Sequence, residues 1–330
     1  MSRYARQEIL PEVGAQGQAA IGKATVLIVG VGGLGCPVAQ YLAAAGVGRL
    51  ILVDSDIVSV SNLHRQTLFR EADIGMLKAQ IAAQSLAGLN SDCTIMPVCE
   101  RLTPKNAKVL ISEASLVVDC ADSFAVSYIL SDFCKATATP FITASALGLS
   151  GYVGGFCGSA PSLRAVFPDL PARAATCATA GVMGPVVGLL GAAQAQMALS
   201  VLLGLEPSPL GQLVTHDLRT MRSNGFRFDN APEPESGSFA FIADDEIQPS
   251  DWVIELRDEA EAPALVHPAA RRMKVSDFPT AKPMPDTGQR AVLICRSGLR
   301  SWQAATHLKT YWDGPISLIA MGDMPELERS

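Results

Sequence analysis

Short apolar runs alternate with longer alanine-rich stretches through the first two thirds of the chain. The apolar runs are rich in Val, Ile and Leu, which is typical of strands buried on both faces of a sheet. The stretches between them have the length and composition of helices. This alternation predicts an α/β fold with a doubly wound, Rossmann-like, mostly parallel sheet. The predicted strands lie at residues 25–29, 49–53, 94–98, 115–119 and 140–144.

The pattern changes between residues 229 and 250, where Pro, Glu, Ser, Gly and Asp cluster between apolar segments. This composition is typical of a linker. A shorter alternation of strands and helices follows, with apolar strands expected near Trp252 and Ala291 and a helix expected at 301–309. The sequence therefore predicts a first domain at residues 1–228, a linker at 229–250 and a small α/β domain at 251–330.

Residues 181–205 are apolar enough to raise the question of a membrane span. Pro185, Gln194 and Gln196 interrupt this stretch, so we expect a buried helix that packs through its Gly and Ala residues, with no membrane partner. The first residues show no apolar run after their charges, which predicts no secretory signal and a cytoplasmic protein.

The composition limits the classes of protein and of partner that fit the chain. With 330 residues, 48% of them hydrophobic, the chain has enough apolar material for a large core. A net charge of −6 argues against nucleic acid as a partner, because phosphate binding requires a basic face. Eight scattered cysteines indicate reduced thiols rather than a disulfide framework.

A glycine-rich turn follows the first predicted strand. Gly30, Gly32 and Gly35 have G-x-G-x-x-G spacing, which lets backbone N–H groups and a helix N-terminus approach a phosphate. Asp54 follows the second strand, where a carboxylate accepts hydrogen bonds from ribose hydroxyls. Up to this point an NAD-dependent oxidoreductase fits as well as an ATP-dependent enzyme.

Cationic and amide side chains soon after Asp54 favour ATP. Asn62, Arg65 and Lys78 are suited to the charge that develops when ATP is cleaved between its α- and β-phosphates, whereas an uncharged nicotinamide has little use for them. Asp122 follows the fourth predicted strand, and carboxylate oxygens there hold Mg²⁺ beside phosphates.

The motifs RYARQEILPEVG, VGVGGLGCPVAQYLAAAGVGRLILVDSDIVSVSNLHRQTLF, DCADS and TCATAGVMGPVVGLLGAAQAQMAL occur in that order, with a helix expected near Lys78. Over about residues 3–228 the chain resembles the MoeB/ThiF/HesA family, the adenylyltransferases similar to ubiquitin-activating enzymes. The resemblance implies ATP-dependent adenylation of the C-terminal glycine of a small ubiquitin-like, MoaD/ThiS-like sulfur carrier ending in Gly-Gly.

The resemblance also implies roles for individual residues. Lys78 would hold the triphosphate and Asp122 the Mg²⁺, while Arg6 would reach the ATP of a partner subunit, which implies a homodimer. Ser123 stands where the family commonly has Asn. The nucleotide-site residues implied as a set are Gly30, Gly32, Gly33, Gly35, Asp54, Asp56, Ser61, Asn62, Arg65, Gln66, Lys78, Asp122 and Ser123.

Two cysteines of the first domain invite different interpretations. Most relatives hold a structural zinc with two C-x-x-C pairs, but Cys157 is followed by Ser159 and Ala160, so we expect no structural zinc. Cys177 matches a position where relatives carry a cysteine near the adenylate. It would capture the acyl group or resolve a disulfide, and the alternative is a small buried residue.

Cys295 follows an apolar strand and precedes a helix, in the segment AVLICRSGLRS. A loop of this shape points backbone N–H groups inward, and with Arg296 and Arg300 it would stabilise an anionic persulfide. Residues 250–323 resemble rhodaneses, although Glu255 stands where that family usually has Asp. The resemblance implies a persulfide loop, and the alternative is a degenerate domain with an inert cysteine. The loop comprises Cys295, Arg296, Ser297, Gly298, Leu299 and Arg300.

Together the two resemblances predict adenylation followed by sulfur transfer from Cys295 to give a thiocarboxylate, with the residues Arg6, Arg65, Lys78, Cys177 and Cys295 in catalytic roles. The sulfur would come from a persulfide donor such as a cysteine desulfurase. A non-catalytic nucleotide-binding scaffold and an NAD-dependent oxidoreductase are the alternatives. Molybdopterin, thiamine, cysteine and siderophore thiocarboxylate pathways use similar carriers, and the sequence does not choose among them.

Overall fold

The computed structural model describes residues 2–170, 181–234 and 239–322, and its strands form two sheets. The first sheet has the strand order β3-β2-β1-β4-β5-β6-β7-β8. Its first five strands are parallel, and the pairs from β5 to β8 are antiparallel. The strands are β1 (Thr25–Val29), β2 (Arg49–Val53), β3 (Thr94–Val98), β4 (Leu116–Asp119), β5 (Pro140–Leu147), β6 (Ser150–Cys157), β7 (Gln212–Asp217) and β8 (Arg222–Arg227).

Helices cover both faces of this sheet, which confirms the predicted doubly wound fold. Alternate residues of a strand point to opposite faces. In β1, Val26 and Ile28 therefore join one apolar cluster, and Leu27 and Val29 join another. The described helices are α1 (Ala5–Glu8), α2 (Gly14–Lys23), α3 (Gly35–Ala45), α4 (Lys78–Leu89), α5 (Pro104–Ser112), α6 (Phe124–Ala136), α7 (Leu163–Val166), α8 (Gly184–Leu202), α9 (Asp277–Ala281) and α10 (Leu299–Lys309).

The second sheet is parallel throughout, in the order β11-β10-β12-β13-β9. One of its faces shares a continuous apolar cluster with α5 and α6, to which Leu293 and Trp302 contribute from this side. The two sheets are therefore parts of one packed structure. The strands are β9 (Ala240–Phe241), β10 (Trp252–Glu255), β11 (Arg271–Arg272), β12 (Ala291–Cys295) and β13 (Ile316–Ala320).

Helix α6 forms the contact between the two sheets. The Trp302 ring lies 5.7 Å from the ring centroid of Tyr128, which belongs to α6. Gly298 has φ +86°, and a Cβ added there would lie 3.0 Å from both Ala125 Cβ and the Phe241 ring. The turn that follows Cys295 is therefore covered by the first turn of α6.

Within the described residues, α8 is the one helix whose length and apolar composition would suit a membrane crossing. Seven of its residues are buried, among them Val187 and Gln194. Gly191 abuts α3, because a Cβ there would lie 2.5 Å from the Leu34 carbonyl oxygen. The helix packs through its small residues as expected, and the absence of a membrane partner stays a prediction.

Three of the five predicted strands have the observed bounds, β4 starts one residue later than predicted, and β5 extends to Leu147. The predicted linker at 229–250 contains structure of its own. Ala240 and Phe241 pair with Ser317 and Leu318 as an edge strand of the second sheet. The division into two domains with a linker stays a prediction.

Candidate active site

The glycine turn lies where β1 ends and α3 begins. Gly30 has φ +88°, and a Cβ there would lie 2.7 Å from the Cys120 carbonyl oxygen. A Cβ at Gly35 would collide with the Gly30 carbonyl oxygen. Only glycine lets the backbone pass this closely, so these two positions are fixed by the turn itself. At Gly33 the facing group is the Val187 side chain of α8.

Asp54 holds this turn from the end of β2. Its Oδ2 accepts a hydrogen bond from Val31 N at 2.7 Å, and its Oδ1 accepts one from Asp56 N at 2.9 Å. Burial raises the pKa of Asp54 above its usual value, and the Lys78 charge partly offsets this. The carboxylate therefore lies beside the phosphate-facing backbone.

Lys78, the first residue of α4, points toward this edge of the sheet. Its side chain is only 7% exposed, and its Nζ lies 2.8 Å from Oδ2 of Asp56, which is 70% exposed. A buried ammonium with a single exposed carboxylate partner is a cation available for a ligand charge.

The segment after the short 3₁₀ helix Val60–Asn62 adds two further groups. Arg65 Nη1 donates to the Ser61 carbonyl oxygen at 3.0 Å and lies 2.7 Å from His64 Nε2. Gln66 is buried beside the turn, since a Cβ at Gly32 would lie 3.5 Å from its Nε2. Its Oε1 has no hydrogen-bond partner, and a buried polar atom of this kind calls for a ligand or water.

The DCADS motif places its two carboxylates differently. Asp119 is buried at the end of β4 and accepts hydrogen bonds from Thr143 Oγ1 at 2.8 Å and Ala121 N at 3.1 Å. Burial raises the pKa of Asp119 to about 6. Asp122 is exposed, and Ser123 stands at the N-cap position of α6 without a capping hydrogen bond from its side chain. Asp119 is not among the predicted site residues, although an acid that ends an apolar strand is a usable signal.

Cys295 ends β12 and is fully buried. Its Sγ accepts hydrogen bonds from Gly298 N at 3.1 Å and Ser301 N at 3.4 Å, and the Ser301 hydroxyl lies 3.4 Å away. Both N–H groups belong to the turn and first residues of α10, where the helix dipole favours negative charge. The predicted inward-pointing N–H groups are therefore present around this sulfur.

The two arginines expected to serve the sulfur are both engaged by Glu261, which sequence analysis did not select. Arg300 Nη2 lies 2.6 and 2.8 Å from the Glu261 oxygens, and Arg296 Nε lies 3.5 Å from Oε1. A third arginine, Arg257, donates to Glu255 at 2.9 and 2.7 Å. The cations beside Cys295 are therefore neutralised by neighbouring carboxylates.

Other predicted residues lie apart from both clusters. Arg6 is exposed on α1. Cys157 is buried, and its thiol donates to the Ser131 carbonyl oxygen at 3.5 Å. Cys177 lies outside the described residues. In the part of the chain that the structure describes, no group of three or more His, Cys, Asp or Glu side chains is arranged to hold a metal ion, and the expectation about zinc stays a prediction.

A glycine turn, an acid after the second strand and a buried lysine, all at the carboxyl edge of a parallel sheet, define a nucleotide-binding domain of the doubly wound class. The sequence profile of the ThiF family matches residues 4–238, and the chain belongs to that family. Family membership leaves the oxidoreductase alternative without support, because that alternative rested on the glycine turn alone.

Similar proteins agree with this assignment. The chain is 48% identical over 218 residues to "Adenylyltransferase and sulfurtransferase MOCS3" of Sus scrofa. This alignment covers 65% of the chain and 48% of the relative. The chain is 39% identical over 250 residues to the Xenopus laevis protein of the same name, and this alignment covers 73% of the chain and 55% of the relative. The chain thus spans about half the length of the curated relatives it matches.

Solved structures share the fold at lower identity. E. coli MccB bound to ATP aligns with a TM-score of 0.60 at 22% identity, over 70% of this chain and 73% of that chain. PaaA aligns with a TM-score of 0.59 at 23% identity, over 68% of this chain and 72% of that chain. These likenesses support the α/β fold.

Replacing Asp119 with Asn tests the buried carboxylate. Because burial raises the folded-state pKa of Asp119 to about 6, above about 3.9 for an unfolded Asp, the folded protein loses stability as the pH rises through this window. Relative to wild type, Asp119→Asn should therefore gain about 1 kcal/mol of unfolding free energy between about pH 5 and about pH 7.5. Urea unfolding at both pH values measures this difference.

The matched control is Asp313→Asn, whose side chain is 99% exposed and which should show no such pH-dependent difference. An Asp119→Asn variant whose stability follows that of wild type at both pH values would show that the Asp119 pKa is not raised.

Proposed function

We propose that the chain is an adenylyltransferase that uses ATP to activate the C-terminal glycine of a small ubiquitin-like sulfur carrier, and that Cys295 then supplies the sulfur. The observation that carries the first half is the buried Lys78 ammonium beside the glycine turn and Asp54. The name of the MOCS3 relatives, which contains both activities, supports the combination.

The nucleotide would lie along the glycine turn with its phosphates toward Lys78 and Arg65. The unpartnered Gln66 Oε1 and the close approach of backbone at Gly30 fit a ligand in this place. The carrier carboxylate displaces pyrophosphate from the α-phosphorus, and the cations stabilise the charge that develops there. The exposed Asp122 would hold Mg²⁺, which neutralises phosphate charge when bound.

The second half transfers sulfur. A persulfide on Cys295 attacks the acyl carbon, so that AMP leaves and an acyl disulfide forms on Cys295. A second thiol, for which we propose Cys177, attacks the Cys295 sulfur and releases the carrier thiocarboxylate. The resulting disulfide is reduced by an external dithiol. The N–H groups of Gly298 and Ser301 support this role, because they stabilise negative charge on the Cys295 sulfur.

We propose that the active form is a homodimer. Ile9, Leu10 and Tyr41 are large apolar side chains that are 70, 51 and 58% exposed, and Tyr41 lines a groove with Gln7 and residues of α8. Burial of such a surface favours association with a second copy. Arg6 lies on the same short helix as Gln7, from which it would reach the partner's nucleotide.

Sedimentation equilibrium tests the homodimer. The purified chain should sediment at twice its mass of 34.7 kDa, and Tyr41→Glu should shift it toward the monomer because a charge would be buried at the apolar contact. Lys108→Glu, on the exposed side of α5, is the control and should stay dimeric. A wild-type chain that sediments at the monomer mass at micromolar concentration would contradict the proposal.

Lys78→Ala tests the adenylation site. The variant should lower carrier-dependent exchange of pyrophosphate into ATP by about 10²-fold, because it removes one preorganised cation from the developing charge. Lys108→Ala, which removes an exposed lysine from α5, should keep the wild-type rate. Full activity of Lys78→Ala would reject the site, and a wild-type protein that binds ATP without any carrier-dependent exchange would favour a non-catalytic scaffold.

Cys295→Ala separates the two halves of the reaction. It should leave pyrophosphate exchange unchanged and abolish thiocarboxylate formation, as measured by the mass of the intact carrier, because the transferred sulfur resides on Cys295. Cys99→Ala, which removes a partly exposed thiol elsewhere, is the control. Thiocarboxylate formation at the wild-type rate in Cys295→Ala would eliminate the role of this cysteine.

A further inference from the structure

Three arginines and three carboxylates lie around Cys295. Arg257 pairs with Glu255, and Arg300 pairs with Glu261. The Asp258 carboxylate also interacts electrostatically with Arg300. Arg296 also contacts Glu261. The formal charges of these six side chains cancel, and each of the three arginines has a carboxylate partner, with Arg296 and Arg300 sharing Glu261.

Glu261 is the acid on which this balance depends. It binds Arg300 through both carboxylate oxygens and also reaches Arg296, and its own N–H donates to Asp258 Oδ1 at 2.8 Å. The pKa of Arg300 is raised chiefly by its hydrogen bond to Glu261, so the Arg300 guanidinium stays charged. Without Glu261, Arg300 and Arg296 would lose the carboxylate that they share.

One side of the loop around Cys295 is exposed, and the other side is covered. Cys295 and Gly298 are buried, whereas Arg296 and Ser297 are the exposed residues of the loop. On the opposite side, Ala125 and Phe241 cover Gly298. The exposed side of the loop is therefore the side of Arg296 and Ser297, and Glu261 contacts Arg296 there.

We propose that Glu261 sets the charge selectivity of the Cys295 site: by neutralising Arg300 and Arg296 it makes the site reject small dianionic sulfur donors such as thiosulfate, and favours a protein persulfide, whose terminal sulfur brings at most one negative charge. This inference rests on the proposed sulfur-transfer function. In loading, the Cys295 thiolate attacks the terminal sulfur of R–S–SH. The S–S bond of the donor breaks, R–S⁻ leaves with the electron pair, and Cys295–S–SH forms.

Thiosulfate and charged thiol reagents test the selectivity. With thiosulfate, the sulfane sulfur would pass to Cys295 and sulfite would leave, and cyanide would then remove the sulfur as thiocyanate. Glu261→Gln should lower the KM for thiosulfate about tenfold with little change in kcat, because the amide keeps a hydrogen bond to Arg300 while the compensating charge is gone. This gain should diminish with added KCl.

The second measurement compares three methanethiosulfonate reagents of one chemistry: a neutral methyl, an anionic sulfonatoethyl and a cationic trimethylammonium form. Peptide mass spectrometry follows labelling at Cys295. Glu261→Gln should raise the ratio of anionic to cationic labelling rates about tenfold over wild type, and Glu261→Asp should restore the wild-type ratio. Glu259→Gln is the matched control, because it removes an exposed charge from the same turn.

The outcomes separate the two proposals. Labelling of Cys295 by the neutral reagent with an unchanged charge ratio and an unchanged thiosulfate KM in Glu261→Gln would overturn the role of Glu261 and leave sulfur transfer standing. A Cys295 that no reagent labels, and that acquires no sulfur from any donor, would overturn the sulfur-transfer function itself. A purely structural effect of Glu261 would slow all three reagents alike, which also counts against selectivity.

Discussion

The close passage of the backbone at Gly30 past the Cys120 carbonyl is the constraint on which the rest of the structure depends. This contact lies where β1 and β4 are adjacent in the sheet, and the connections that follow these two strands run to opposite sides. Helix α3 follows β1 onto one face of the sheet, and α6 follows β4 onto the other. The crevice opened by such a divergence is where doubly wound sheets bind ligands.

Charge at this crevice is only partly compensated within the chain. Lys78 is buried, yet its partner Asp56 lies at the surface, and Asp54 is held by backbone N–H groups instead of a cation of its own. A buried ion whose partner is exposed has incomplete compensation. In the proposed function a bound triphosphate would complete this compensation.

Much of this arrangement follows from local sequence. The strands at 25–29, 49–53 and 94–98 are short apolar runs whose length and flanking residues favour strand over helix. The glycine spacing predicts the turn because only glycine fits there. The two acids of DCADS, in contrast, differ in sequence only in that Asp119 ends the apolar run, and this signal alone does not show that Asp119 is buried and Asp122 exposed. Their difference depends on Thr143, which belongs to another strand.

Features that depend on distant partners were beyond prediction. The two-residue strand Ala240–Phe241 exists only because Ser317 and Leu318 present a free edge, and its surroundings have the composition of a linker. Glu261 meets Arg300 across 39 residues of chain, a pairing with no periodic signal. Long-range pairs of this kind are fixed by packing rather than by local propensity.

Helix α6 links the two chemistries that we propose. It begins directly after Asp122 and Ser123 at the edge of the first sheet, and its residue Ala125 touches the turn that carries Cys295. One helical turn thus separates the nucleotide edge from the sulfur loop. Since an acyl-adenylate is open to hydrolysis, transfer between sites joined by one rigid element limits its exposure to water. Because Ala125 and Phe241 cover Gly298, the proposed transfer would bring a carrier tail to Cys295 from the side of Arg296.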